Sequence, residues 1–554
     1  MASRKAALAL GSLERIARRF GPGLPARKLA LLAVLADARL ESAAQLRRLH
    51  ELLCFQDAYP DNRRVRGRVR RMLREFSRRP ELRRHRHALA GSGIAGTDTP
   101  FRFFWPTAHW IAQHWPGALV LDRDDEEAIH EILAALPPLL EPAQSAWLIA
   151  RHPEDLAPVD RLVPRGMTDA DFLIGLIAAM PGDDFSREAF GDRLDLSYVL
   201  RAGRDTPERT TTRFDRVDIH FQNTGLRAGY PDLRVEAKRG PRRVQTLRGN
   251  DARSAIRLAR VSMITRERDV AAFQFANPAD VFLVDDGLGL AFAMMGMIPA
   301  RRATLPATYT ALTLKNGVPI GYVQVEVLGR HGALSFNTFE TFRGAEAAWI
   351  FSRFIAASQH LFGCTDFSVE PYQLGAGNDE GIDSGAWWFY HRLGFRPHTG
   401  EARRIAAREL ARRAANGRYR SLPRTLRALA RWHLFYSLDP GRKAELPRTH
   451  HWLAAATDAT HRYGQREPDA RRIAAVMDAL ARLGRMKAPP LSAPQRAMLG
   501  HWAPLVLALT AQGRWSGGDR KRLLRLVLAK AGRSERGFLQ QFLHHTRLRA
   551  LLGC

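Results

Sequence analysis

Apolar residues recur at helical spacing through roughly the first ninety positions. Leu46, Leu49 and Leu53 fall on one helical face, and Val65, Val69, Met72 and Phe76 on another. Between the latter set, Arg63, Arg64, Arg68, Arg70, Arg71 and Arg74 lie mostly on the opposite side. From about 211 to 345 the period drops to two. VDIHF (Val217 to Phe221) alternates, and VFLV (Val281 to Val284) and LGLAFAMM (Leu288 to Met295) flank an Asp285-Asp286-Gly287 turn signal. TALTL (Thr310 to Leu314) and VPIGYVQVEV (Val318 to Val327) flank Asn316-Gly317, the strongest two-residue hairpin signal. One helical stretch, Ala252 to Ile264, interrupts these strands. After residue 401 the helical period returns: Glu401 to Asn416 stops at Gly417, and Ile473, Val476, Leu480 and Leu483 form a stripe ending at Gly484.

The expected organisation is a helical, basic N-terminal region over residues 1–90, a mixed, aromatic-rich region over 91–210, a sheet-bearing domain over 211–400 and a helical C-terminal region over 401–554. Within 91–210, FRFFWPTAHWIAQHW (Phe101 to Trp115) carries six aromatics. Large aromatics mostly serve burial, so a core wedge is expected rather than a base-stacking platform.

The order of elements from 309 onward is the most informative part. A hairpin (Leu312 to Leu328) leads to a strand (Ala333 to Phe342), then Arg343-Gly344 and a helix (Ala345 to Gly363). A strand (Asp366 to Tyr372), a polar Gly-rich loop and a helix ending at Gly394 follow. This succession predicts an α+β mixed sheet. The strand-to-helix turn at Arg343-Gly344 is a candidate anion site, because free N–H groups at a helix N-terminus, a glycine and an arginine converge there. Glu370, at the end of a strand, is a candidate base for deprotonating an amine, with Glu340 and Asp366 weaker. Tyr372, Gln373 and Asn378 fall in the following loop, where they would line a substrate site or satisfy the loop backbone.

The segment AWWFYHRLGF then resembles the last core helix and strand of the GNAT N-acyltransferase family, with Ala386, Phe389, Tyr390, Leu393, Gly394 and Phe395 in the family's places. The resemblance covers residues 309–397. It implies a GNAT-like mixed sheet with helices on both faces and acetyl-CoA or another acyl-CoA as substrate, lying between two splayed strands around Phe336 to Phe342 and Phe367 to Glu370. It further implies transfer of the acyl group to an amine, and Tyr390 as the acid that protonates the departing thiolate. Arg343, Gly344, Ala345 and Ala348, with Phe389, take the cofactor-binding role, and no metal is implied. One position departs from the family's phosphate loop: Glu346 stands where a glycine is usual, and a carboxylate facing two phosphates would repel them.

Composition adds an alternative. The chain has 554 residues and a net charge of +29, almost all of it from arginine. Most of this excess reads as compositional bias spread over every segment. It also admits an RNA or DNA partner through the basic helices. The second expectation is therefore a catalytically weak or inactive GNAT-like domain in a basic nucleic-acid-binding protein. Three dispersed cysteines indicate neither a disulfide framework nor a zinc finger. The longest apolar run is too short for a membrane span, and a cytoplasmic protein is expected. Other motifs fail on context. GSGIAG (Gly91 to Gly96) has no strand before it. In PDLRVEAK, read as a strand, Asp232 and Glu236 stand too far apart to share a metal. HEILA at His130 lacks the second histidine of a metalloprotease helix.

Overall fold

The computed structural model describes residues 2–464, 466–484 and 490–554. Its centre is a nine-stranded sheet, with strands here numbered in chain order: β1 Arg243–Leu247, β2 Ala276–Gly287, β3 Leu290–Met297, β4 Ala307–Lys315, β5 Val318–Leu328, β6 His331–Thr338, β7 Asp366–Val369, β8 Arg396–Pro397 and β9 Leu434–Ser437. The spatial order is β8-β9-β7-β6-β5-β4-β3-β2-β1. Only β6 and β7 run parallel; every other neighbouring pair is antiparallel. Three helices serve the argument below: α1 Gly249–Ile264, α2 Ala347–Phe362 and α3 Ala386–Arg392.

Two-residue turns build the antiparallel half. Asn316-Gly317 joins β4 to β5 with φ of 51° and 81°, and Leu288-Gly289 joins β2 to β3 with φ of 52° and 72°. Both residues of each turn are left-handed, which matches the twist of the flanking strands. The second turn lies beyond the Asp285-Asp286-Gly287 signal, and both aspartates belong to β2. Gly317 is required for a further reason: a Cβ there would lie 2.3 Å from the Phe214 carbonyl oxygen. Every residue of β4 is buried, so the sheet is covered on both faces at its centre.

α2 is the central helix of the second half. Phe351, Phe354 and Ile355 are fully buried along it, each contributing roughly 1.5–3 kcal/mol by removal from water. It ends at Gly363, whose φ of 74° allows its N–H to close back on the Gln359 carbonyl at 2.9 Å. Midway along α2, the buried Arg353 spends its guanidinium on two separate segments. It pairs with Asp286 of β2 at 2.8 Å, with Glu236 at 3.1 Å, and with the carbonyls of Glu236 and Gly240 at 2.7 and 3.2 Å.

The flanks are not separate units. Residues of the N-terminal helices, the sheet and the C-terminal helices form one continuous apolar core. Buried charge ties the C-terminal part down: Lys530 pairs with Glu535 at 2.6 Å and donates to the Pro306 carbonyl at 2.7 Å, and Arg302 donates to the Lys530 and Gly532 carbonyls at 2.6 and 2.7 Å. Among the described residues, only the region between about 100 and 200 has a core of its own, joined by Val261 and Ile264 of α1. There Trp105, Trp110 and Trp115 are buried, beside a three-stranded antiparallel sheet.

Three segments differ from the sequence expectation. Residues 217–221 alternate but form no strand. Their backbone groups and those of Gln222 are engaged instead by Asn316 and by the Pro60 carbonyl. Residues 233–237 form a short helix rather than a strand; Asp232 caps it, and Glu236 pairs with Arg353. Leu434–Ser437, inside the region read as mostly helical, is a strand that inserts between β7 and β8. Among the described residues no helix is long and apolar enough to cross a membrane.

His331 of β6 bridges the parallel pair through a 3.0 Å hydrogen bond to Ser368 of β7. Burial, and then the His433 charge, lower its pKa from 6.5 to about 4. Between those values the unfolded chain takes up a proton that the folded chain does not. This contribution to stability is complete above pH 6.5 and is lost as pH falls through about 4, amounting to about 3 kcal/mol. Denaturant unfolding of His331→Gln and the parent across this window should show a shallower acid loss in the variant; parallel curves would remove His331 from the account.

Candidate active-site cleft

β6 and β7 pair only at His331, Gly332 and Ala333, opposite Asp366, Phe367 and Ser368. β7 ends one residue later, whereas β6 continues to Thr338. Beyond Ala333 the strands no longer pair, and a cleft of ≈ 640 Å³ opens there, walled by β6, the start of α2, the 373–384 loop and α3. Arg343, Gly344, Asn378, Phe389 and Tyr390 line it, together with Gln373. Ala345, Ala348, Glu370 and Tyr372 do not.

The floor is aromatic. Phe389 stacks on Phe336 at 5.8 Å and 11°, and Phe351 meets both edge-on at 5.9 and 5.3 Å. Tyr390 is buried at their edge, with its hydroxyl near enough to the Phe336 N–H for that dipole to favour the charged form. Burial pushes the phenol above its ordinary pKa, and the Phe336 N–H only partly counters that. The Tyr390 O–H is therefore a neutral donor.

At the other wall, α2 begins with the Ile350 N–H bonded to the Glu346 carbonyl at 2.8 Å. The N–H groups of Ala347, Ala348 and Trp349 precede the first intrahelical bond. Gly344 has a φ of 70°, a conformation that side chains rarely adopt. Arg18, from the N-terminal helices, donates to the carbonyls of Arg343 and Thr341 at 2.7 and 3.0 Å and braces this turn from behind.

The expected repulsion from Glu346 is overturned. Its side chain is buried and not part of the cleft wall. One carboxylate oxygen accepts from Lys315 at 3.1 Å and the other from the Arg227 N–H at 3.1 Å. Lys315, itself buried at the end of β4, neutralises it beneath the loop. Two acids line the cleft: Asp383, which is exposed, and Glu380. Glu380 accepts from Arg268 at 2.8 Å and pairs with Arg343. Burial raises the Glu380 carboxyl, but the two guanidinium groups outweigh it and hold it below the usual carboxylate value. Arg343 is thus occupied by an internal anion.

The remaining sequence candidates have other surroundings. Asn378 lines the cleft but works as a cap: its amide donates to the Tyr372 carbonyl at 3.1 Å and accepts from the Gly381 N–H at 3.2 Å. Tyr372 is exposed. Glu370 is exposed at the end of β7, close enough to His433 to favour that imidazole's charged form, although burial lowers it overall. Cys364 is buried, and burial followed by the Asp366 charge keep its thiol protonated, so it is not a nucleophile. Among the described residues no group of three or more His, Cys, Asp or Glu side chains is placed to hold a metal ion. Arg18, Arg268, Lys315 and Glu380 escaped sequence reasoning. Each meets its partner across 31 to 325 residues of chain, with no local pattern to mark it.

Removing one member of the Lys315–Glu346 pair leaves the other charge buried, at a cost of about 3–5 kcal/mol. Lys315→Met should lower the urea midpoint markedly, and adding Glu346→Gln should recover much of the loss. A Lys315→Met protein as stable as the parent would mean that Glu346 reaches another cation or solvent.

Compared with known proteins, the chain matches no family model, no curated protein and no solved structure.

Proposed function

We propose that the protein is an acyl-CoA-dependent N-acyltransferase of the GNAT type. The observation that carries this reading is the parting of β6 and β7 after Ala333 and Ser368, which opens a cleft with an aromatic floor, a helix N-terminus and Tyr390 on its walls. The strand order supports it as well: an antiparallel run ends in a single parallel pair, and the last two strands fold back so that β9 lies between β7 and β8.

In this reading the pantetheine arm of acyl-CoA lies along the Phe336–Phe389 floor, and its pyrophosphate meets the first turn of α2 and Arg343. Arg343 exchanges Glu380 for the phosphate, and Arg268 keeps Glu380 paired. The acceptor amine attacks the thioester carbonyl carbon, the C–S bond breaks, and the amine gives up a proton to solvent, since Glu370 lies outside the cleft wall. Positioning supplies most of the acceleration.

The role of Tyr390 differs from full proton donation. A free thiol has a pKa of about 8.5 and a free phenol of about 10, and burial raises Tyr390 further. Complete transfer from the phenol to the thiolate is uphill. Tyr390 instead donates a hydrogen bond to the sulfur as charge develops there, and the thiolate takes its proton from solvent.

Calorimetry with acetyl-CoA tests the reading directly: no binding at millimolar ligand would reject it. Arg343→Gln should weaken that binding. Tyr390→Phe should lower kcat by about 10²-fold with little change in acyl-CoA affinity. The parent rate should not fall as pH rises through the ordinary phenol range, because the raised pKa keeps the donor protonated; an alkaline loss that disappears in Tyr390→Phe would contradict this.

A second reading, a weak or inactive domain in a nucleic-acid-binding protein, draws on the helix Arg63–Arg74, which presents Arg63, Arg64, Arg71 and Arg74 to solvent. It calls for RNA association that falls steeply with salt, together with no binding of acetyl-CoA.

A further inference from the structure

A separate basin of ≈ 670 Å³ lies across α3 from the cleft, between residues 230–234, the end of α3, strands β8 and β9 and residues 441–444. Its wall carries Arg234, Arg392, Arg396, Arg442 and Lys443 against one carboxylate, Asp232. That carboxylate is engaged locally, accepting from the Arg234 N–H at 2.8 Å as a helix cap. Arg442 pairs with Asp366 at 2.8 Å, and Lys443 lies 3.7 Å from Glu445.

The other three guanidinium groups are held by neutral partners. Arg234 donates to the Ser437 carbonyl at 3.2 Å and lies over the Tyr436 ring. Arg392 donates to the Tyr230 hydroxyl at 3.2 Å. Arg396 donates to the carbonyls of His391 and Phe395 at 2.6 and 2.8 Å. Each of these contacts orients a guanidinium while leaving most of its five N–H donors free. Three such cations around one concavity give it a positive potential that favours an anion.

We propose that this basin binds the oligophosphate group of a small ligand. Several oriented forks presenting paired donors suit phosphate oxygens. The volume is that of a small-ligand site. The charges ring a hollow rather than running along a groove, as a single strand of nucleic acid requires. The basin is distinct from the cleft: Tyr230, on its wall, packs edge-on against Phe389 at 6.2 Å and separates the two. The assignment is therefore independent of the chemistry in the cleft.

The test is calorimetric titration of the full chain with inorganic tripolyphosphate and, separately, with ATP, at two salt concentrations. Both should bind, more weakly at higher salt. R392Q/R396Q should lose at least about tenfold in affinity for both ligands. Equal affinities for the two ligands assign the site to the phosphate chain itself; tighter ATP binding assigns it to a nucleotide. Arg234→Gln, on a different element, provides the same reading if the double variant does not fold. Absence of binding by both ligands at millimolar concentration, or unchanged affinity in these variants, overturns the proposal. So does single-stranded RNA that displaces tripolyphosphate and loses its hold in the same variants.

Discussion

Buried backbone donors must find acceptors, and the parting of β6 from β7 has to satisfy that constraint. While the strands are paired, the ladder uses these groups. Past Ala333 it stops, and the Tyr390 hydroxyl lies near the Phe336 N–H instead. α3 meets β6 across the gap through Phe389, which stacks on Phe336, and Tyr390 beside it. The aromatic packing of Phe336, Phe351 and Phe389 follows from the same arrangement.

Buried ion pairs then fix the surroundings. Lys315–Glu346 holds the loop before α2 from below, and Arg18 holds it from the side. Arg353 joins α2 to β2 and to residues 236–240. Lys530, Arg302 and Glu535 dock the C-terminal helices. Lys28–Asp61 does the same within the N-terminal helices. Such pairs add little net stability over apolar replacements, yet each penalises any assembly that leaves a member alone. This accounts for flanking regions that share the core of the sheet instead of folding as independent modules. The strong positive charge thus has a structural component in buried arginines and lysines, and a surface component concentrated at places such as the basin beside α3.

Local signals in the sequence were legible where the backbone itself demanded a residue type. Asn316-Gly317 marked a hairpin because both positions need positive φ, and Gly363 and Gly394 marked ends for the same reason. The helical stripes at Leu46–Leu53 and Val65–Phe76 were buried as their spacing implied. Alternation at 217–221 misled: of its apolar positions Val217 is buried but Ile219 and Phe221 are exposed, so no strand face is being covered there. The strand at 434–437 was missed because four residues carry too little pattern to compete with the helical composition around them. Glu346 was misjudged for a further reason. Its spacing from Arg343 was visible, but the direction of its side chain depends on Lys315, which a different strand supplies.

By itself, the sequence determined the α+β order of elements from β4 to α3, their turns and the apolar faces that they bury. These depend on φ/ψ preferences and on period, both written within a few residues. The tertiary structure decided everything that needed two distant segments to meet. It ended the β6–β7 ladder after three pairs, inserted β9 beside β7, drew Glu346 beneath its loop and put Glu380 on Arg343. Charge and hydrogen-bond complementarity act through space, and a linear pattern of residue types does not specify which partners will be brought within a few ångströms of one another.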